Sequence, residues 1–122
     1  MTLQVLSQGF TVCKLGDASA IDLHQPYCFV GKTDGELSLV CPTDGVPPTT
    51  LAREDGWRAF RVAGSMAFSM VGVLARLTGC LAAQKIPVFA ISTFDTDYVL
   101  VKTQQLDSAV AALEAEGLDI QR

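Results

Sequence analysis

Two polar clusters in the second half of the chain have the residue types needed to hold a small charged molecule. One is Gly64-Ser65-Met66-Ala67-Phe68-Ser69, which opens a long apolar segment. It reads as a helix start, where free backbone N–H groups attract a carboxylate. Gly64 permits close backbone approach, Ser65 and Ser69 add hydroxyl donors, and Met66 and Phe68 lie beside them. Ser65 is equally well read as a plain N-cap. The other cluster is Ser92, Thr93, Phe94 and Asp97. Asp97 begins a predicted strand, where acids are disfavoured, so something local must hold it: turn N–H groups, or the ammonium of a ligand. Phe94 either walls an apolar side-chain pocket or belongs to the core, and Asp95 is more simply a turn residue. In the first half, Glu36 is either a solvated turn acid or a further group facing the same cleft.

Other chemistries find less to work with. The single histidine, His24, lies in Asp22-Leu23-His24-Gln25-Pro26 beside a turn, and nothing in the spacing marks a nucleophile with its base. The cysteines Cys13, Cys28, Cys41 and Cys80 form no CxxC pair and sit in apolar runs, which reads as buried reduced thiols. Gly64-Ser65 lacks the further glycines and the Lys-Ser/Thr of a phosphate-binding loop. No cofactor or metal is expected. The net charge of -4 and the scattered nine basic residues argue against nucleic-acid binding. The apolar stretch from Ala63 to Ala83 is interrupted by Gly64, Gly72, Arg76 and Gly79, so it reads as a buried helix rather than a membrane span. Met1-Thr2-Leu3-Gln4 shows no signal-peptide pattern, and a soluble cytoplasmic protein is expected.

These residues need elements to position them. Trp57 to Val62 alternates as a strand. Phe68, Val71, Leu74, Leu77 and Leu81 form a helical stripe over Met66 to Lys85, ended by Pro87. That segment is apolar on its other side too, so it is expected to be covered on more than one side. Pro87 to Phe94 and Asp97 to Lys102 read as strands around an Asp95-Thr96 turn. A second helix carries Leu106, Ala109, Val110 and Leu113, with Thr103 as N-cap candidate and Gly117 as C-cap. Leu118-Asp119-Ile120 supplies a last strand. The order is βαββαβ, the ferredoxin-like pattern of an α+β protein.

The first half holds a shorter copy. Pro26 to Val40 aligns with Pro87 to Val101 at a constant offset of 61, sharing Pro, Asp, Leu and Val and setting Glu36 against Asp97. Phe10 to Leu15 is the strand before it. Cys41 to Pro48 breaks regular structure, and at most a short helix fits at Thr49 to Asp55. The N-terminal copy is therefore helix-poor, and modules over residues 1–56 and 57–122 are expected.

Gly72-Val73-Leu74-Ala75, the run from Leu81 to Lys102, Glu36 to Pro42 and Gly56 to Val62 together resemble the ACT domain. More narrowly, they are similar to small bacterial tandem-ACT proteins related to the ACT modules of CASTOR-type cytosolic arginine sensors. The resemblance implies two ACT-like modules and a regulatory or sensor role. It implies a small-molecule effector of the amino-acid class, held where the two modules meet and lined by the region of Ser92, Thr93 and Phe94, without catalytic residues. It also leaves open a homodimer through sheet edges or helices. Two other readings remain at this stage: a ligand-free interaction module acting through sheet edges, and a small acid–base enzyme using Asp97 or Glu36.

Overall fold

The computed structural model describes residues 1–63 and 72–122. The chain divides into two compact units: Gln8–Trp57, and Met1–Ser7 with Arg58–Arg122. Its strands are β1 (Thr2–Val5), β2 (Phe10–Leu15), β3 (Phe29–Lys32), β4 (Leu37–Pro42), β5 (Ala52–Val62), β6 (Phe89–Ser92), β7 (Asp97–Lys102) and β8 (Asp119–Gln121). The helices are α1 (Val73–Ala83) and α2 (Leu106–Ala115). One-turn 3-10 segments follow β4 at Thr43–Gly45 and β7 at Thr103–Gln105.

In the C-terminal unit the elements run β5-α1-β6-β7-α2-β8, the expected βαββαβ order. One strand was not foreseen. β1 lies between β5, to which it is antiparallel, and β8, to which it is parallel. Leu3, its central residue, is 1% exposed and joins the core. Four residues at a chain end carry too short an alternation to mark a strand; its neighbours make it one.

The helices bury one face each. Val73, Leu77 and Leu81 of α1 and Leu106, Ala109, Val110 and Leu113 of α2 pack with Phe60, Val62, Val99 and Val101 of the sheet. The helix expected over Met66 to Lys85 begins only at Val73, behind Gly72, whose φ of 79° is not helical; residues 64–71 lie outside the described residues. Of the second side, Val73 is buried in that core and Cys80 packs against it, half-buried, with its Sγ donating to Ala112 C=O of α2; the face left to solvent carries Ala75, Gly79, Ala82 and Ala83. Small residues bury little area, so an apolar type there does not demand a partner.

Both helices end in the same way. The N–H of Leu118 donates to Leu113 C=O at 3.2 Å and that of Gly117 to Glu114 C=O at 2.9 Å. Ile86 donates to Leu81 at 3.0 Å and Lys85 to Ala82 at 2.9 Å. These are paired Schellman closures. Gly117 has φ 87° as expected of a C-cap, whereas Lys85 takes φ 59° with a side chain attached. The helix is thus closed before Pro87 is reached. Arg76 on α1 donates to Glu116 C=O at 2.8 Å, satisfying a carbonyl at the end of α2. Thr103 does not cap α2: it starts the 3-10 turn, and Gln105 holds the cap position without a side-chain bond.

The N-terminal unit orders its strands β3-β4-β2-β5. Among its described residues the only helical segment is the Thr43–Gly45 turn, so the copy is helix-poor. The short helix allowed at Thr49 to Asp55 does not form: Thr49, Thr50 and Leu51 are irregular and Ala52 begins β5. Residues 52–57 of β5 pair with β2, setting Arg53 opposite Cys13 and Trp57 opposite Phe10. The register shifts between Phe10 and Val12, where Gly56 takes φ 82°. A glycine in that conformation makes a bulge without steric cost. Thr11 Oγ1, facing the bulge, donates to Asp55 Oδ1 at 2.6 Å.

The internal repeat is real but one residue out of the expected register. β3 matches β6, β4 matches β7, and the 3-10 turns Thr43–Gly45 and Thr103–Gln105 match, each sixty residues apart. Both hairpins close with the same bond, Thr33 N–H to Glu36 C=O and Thr93 N–H to Thr96 C=O, each 2.9 Å. The counterpart of Asp97 is therefore Leu37, and that of Glu36 is Thr96. The sequence alignment chose coincident residue types; the structure keeps hydrogen-bond register, in which a one-residue slip would turn every side chain to the other face.

Candidate functional site

The β6–β7 hairpin of the C-terminal unit assembles most of the second cluster. Ser92 and Asp97 are directly paired across the two strands. Ser92 Oγ donates to Asp97 Oδ1 at 2.6 Å. Asp97 is 7% exposed although it carries a carboxylate. An ionised carboxylate accepts about four hydrogen bonds, so one serine hydroxyl leaves capacity for a cationic donor.

The turn between them is held from both sides. Thr93 Oγ1 donates to Thr96 C=O at 3.0 Å, and Thr96 N–H returns to Thr93 Oγ1 at 3.4 Å. Thr96 Oγ1 is buried and donates to Val62 C=O at 2.9 Å. That bond ties the turn to the end of β5, at the point where the chain leaves for residues 64–71. Thr96 was missed as a positioning residue. Its signal was available: a threonine beside a strand-opening acid, in a turn that has no need of a second hydroxyl.

Phe94 is 79% exposed at the tip of the turn. It is therefore not core, one of the two roles open to it. Ser92 and Thr93 are exposed beside it.

Gly64, Ser65, Met66, Phe68 and Ser69 lie outside the described residues. Glu36 sits in the other unit, exposed, with Oε1 receiving Ser38 Oγ at 2.5 Å. The turn above it uses Thr33 Oγ1 to accept the N–H groups of Gly35 and Glu36, both at 3.1 Å. Among the described residues, no group of three or more His, Cys, Asp or Glu is arranged to hold a metal, and no helix is long and apolar enough to cross a membrane. His24 is exposed, its N–H bonded to Asp22 Oδ1 at 2.8 Å.

A family model described as the ACT domain matches residues 52–115. The chain belongs to the ACT domain family. The human cytosolic arginine sensor for mTORC1 subunit 1 is 37% identical over 88 residues, which cover 70% of this chain and 26% of that protein. The chain thus spans about a quarter of the length of the curated relatives it matches. Among solved structures, the Agobacterium tumefaciens protein Atu0741 superposes with a TM-score of 0.87 at 28% identity, covering 98% of this chain and 90% of that one. The regulatory subunit of aspartate kinase from Thermus thermophilus superposes with a TM-score of 0.63 at 10% identity, covering 91% and 95%. At that identity the second likeness speaks for the fold alone.

Proposed function

We propose that this chain is a regulatory amino-acid-binding protein whose ligand docks at the Ser92–Asp97 hairpin. The observation that carries the reading is the buried carboxylate of Asp97, bonded to Ser92, in a hairpin whose turn carries the exposed Phe94. A carboxylate taken out of water is costly unless paired. A ligand α-ammonium or a cationic side chain supplies the charge-assisted donor. Phe94 covers the apolar part of the ligand, and Thr93 offers a hydroxyl at the rim.

The Thr96 bond to Val62 supports a second half of the site. It brings the hairpin to the strand end that leads into Gly64-Ser65-Met66-Ala67-Phe68-Ser69. In this reading the backbone N–H groups and hydroxyls of Gly64, Ser65 and Ser69 receive the ligand carboxylate, with Met66 and Phe68 beside it. The arginine-sensing relative makes arginine the first ligand to test. The modular division near Gly56–Trp57 belongs to the same proposal. Glu36, exposed and bonded to Ser38, is retained only as an outer group.

The test is a thermal-shift screen with the twenty amino acids. A ligand at a hundred times its dissociation constant stabilises the fold by about 2.7 kcal/mol, a rise in Tm well outside noise. Asp97→Ala is expected to abolish that rise while keeping the fold. Retention of normal binding by a folded Asp97→Ala protein overturns the site. No response to any amino acid at millimolar concentration favours the other reading, an interaction module. The exposed Val30 on β3, 44% accessible at the end of the N-terminal sheet, would then be the surface to examine.

A further inference from the structure

The N-terminal hairpin holds two cysteines that the ligand reading does not use. The pairing of β3 with β4 runs Lys32↔Leu37, Gly31↔Ser38, Val30↔Leu39, Phe29↔Val40. Its next step sets Cys28 opposite Cys41. The bond from Thr33 N–H to Glu36 C=O makes Lys32/Leu37 a non-hydrogen-bonded pair. Pair types alternate along an antiparallel ladder, so Cys28/Cys41 is again non-hydrogen-bonded.

The paired strand ends at Phe29, and Pro42 has no N–H to extend its bonds, but a ring contact supports the same register past that end. Tyr27 meets Phe10 edge to face, with ring centroids 5.7 Å apart. Phe10 is paired with Pro42 from the β2 side. Pro42 is the residue that the same register places opposite Tyr27. Tyr27 and Phe10 thus flank Pro42, with Cys28 and Cys41 in the next row.

In a non-hydrogen-bonded pair the Cα atoms are about 4.5 Å apart and the side chains share one face. A disulfide accepts Cα separations of about 4.4–6.8 Å. Cys13, by contrast, is paired with Leu39. It is diagonal to Cys41, at about 7–8 Å, beyond that range. All three thiols meet one apolar cluster with Leu15, Leu37 and Leu39. Cys80 belongs to the other unit, where its Sγ donates to Ala112 C=O at 3.3 Å. In the C-terminal hairpin the positions matching Cys28 and Cys41 are Val88 and Val101, both packed in its core. The hairpin itself therefore does not require sulfur there.

We infer that Cys28 and Cys41 form a reversible cross-strand disulfide that closes the open end of the β3–β4 hairpin. All four thiols are reduced in the structure described. Cys28 is partly buried and Cys41 fully so. Burial, with Cys13, Cys28 and Asp44 nearby, pushes the Cys41 thiol up to about 11, against a smaller opposing pull from Arg53. The first attack falls to Cys28, the more accessible of the two thiols. Its thiolate attacks one sulfur of a small disulfide such as oxidised glutathione, and one glutathione thiolate leaves. Cys41 then gives up its proton to solvent and attacks the Cys28 sulfur, expelling the second glutathione thiolate. Two protein thiols are oxidised to one disulfide and one external disulfide is reduced to two thiols. Excess reduced thiol reverses both steps.

The test incubates the whole chain with oxidised glutathione at graded ratios to reduced glutathione. Remaining thiols are then alkylated under denaturing conditions and read by intact mass and peptide mapping. The expected product has lost two hydrogens, links Cys28 to Cys41, leaves Cys13 and Cys80 alkylated, and returns to the starting mass on reduction. Cys13→Ser closes the same link. Cys41→Val, which copies the other hairpin, stops at a glutathione adduct on Cys28. A wild-type product that stops at that adduct, links Cys13 to Cys41, or never forms overturns the inference.

Discussion

The β6–β7 and β3–β4 hairpins share a backbone and differ in what they bury. Each closes on a threonine whose N–H reaches the residue three positions on, and each feeds a one-turn 3-10 segment. Where one opens its second strand with a buried Asp97 bonded to Ser92, the other has Leu37, 8% exposed, opposite Lys32. Where one lifts Phe94 into solvent, the other has Asp34 in its turn. Beneath the first lie two helices; beneath the second, a small cluster of leucines and thiols. A duplicated scaffold thus carries two chemistries, because polar identity at a given rung is free to change so long as the ladder and the buried face are kept.

The largest effect should come from the helical core that only one hairpin has. Leu81→Ala, at a site with 0% exposure, is expected to cost about 2–5 kcal/mol in urea unfolding. Val46→Ala, at the partly buried margin of the N-terminal cluster, should cost about 1–2 kcal/mol, at about 0.8 kcal/mol per buried methylene. Equal losses would mean that the helix-free unit is packed as tightly as the other.

Next in size is the ligand contrast. Asp97→Asn removes the charge while keeping shape, and the amino-acid-dependent rise in Tm should disappear. Glu36→Ala should leave that rise unchanged. The reverse result would give the acid of the other hairpin the leading role and reinstate the alignment at 61.

A pH titration sharpens the thiol contrast. Burial raises the Cys41 pKa above its ordinary value, to about 11. The folded state therefore holds that proton more tightly than the unfolded chain. This contribution is fully present below pH about 8.5, the unfolded value. It is lost as pH rises through the folded value. Thermal stability should fall across that alkaline window, and Cys41→Val should flatten the fall relative to wild type. An identical profile for the two proteins would contradict the burial of the thiol.

The smallest expected effects lie at the helix ends. Gly117→Ala forces a side chain into φ 87° and should cost about 1–2 kcal/mol. Lys85→Gly relieves a side chain already at φ 59° but frees the unfolded backbone. The two terms oppose, and the net change should stay within about 0.5 kcal/mol, a shift in Tm of no more than about 2–3 °C.

Much of the scaffold was legible because local pattern and tertiary role agree. Phe10–Leu15 and Asp97–Lys102 alternate or run apolar between turn signals, and both are strands with those bounds. The α2 stripe buries the four residues named for it, and Gly117 ends the helix. Where the two conflict, the reading failed. Turn signals around Thr49 to Asp55 allow at most a short helix, yet β2 offers Ala52, Arg53 and Glu54 a ladder. β1 exists only because β5 and β8 leave a place between them. Asp97 and Ser92 could be named as polar partners, but their cross-strand pairing and the Thr96 anchor could not.

By itself the sequence determined the βαββαβ order of the C-terminal half, the duplication, and the family, since these rest on periodicity and residue type along the chain. Register was decided only in three dimensions. Hydrogen bonds between strands choose an offset of sixty over the alignment's sixty-one, and that single step sets Leu37, not Glu36, opposite the place Asp97 holds. The β3–β4 pairing, carried one rung further, is what places Cys28 opposite Cys41 in our inference. The physical reason is that side-chain direction in a sheet reverses at every residue, so a likeness in letters cannot fix what a ladder of backbone bonds must.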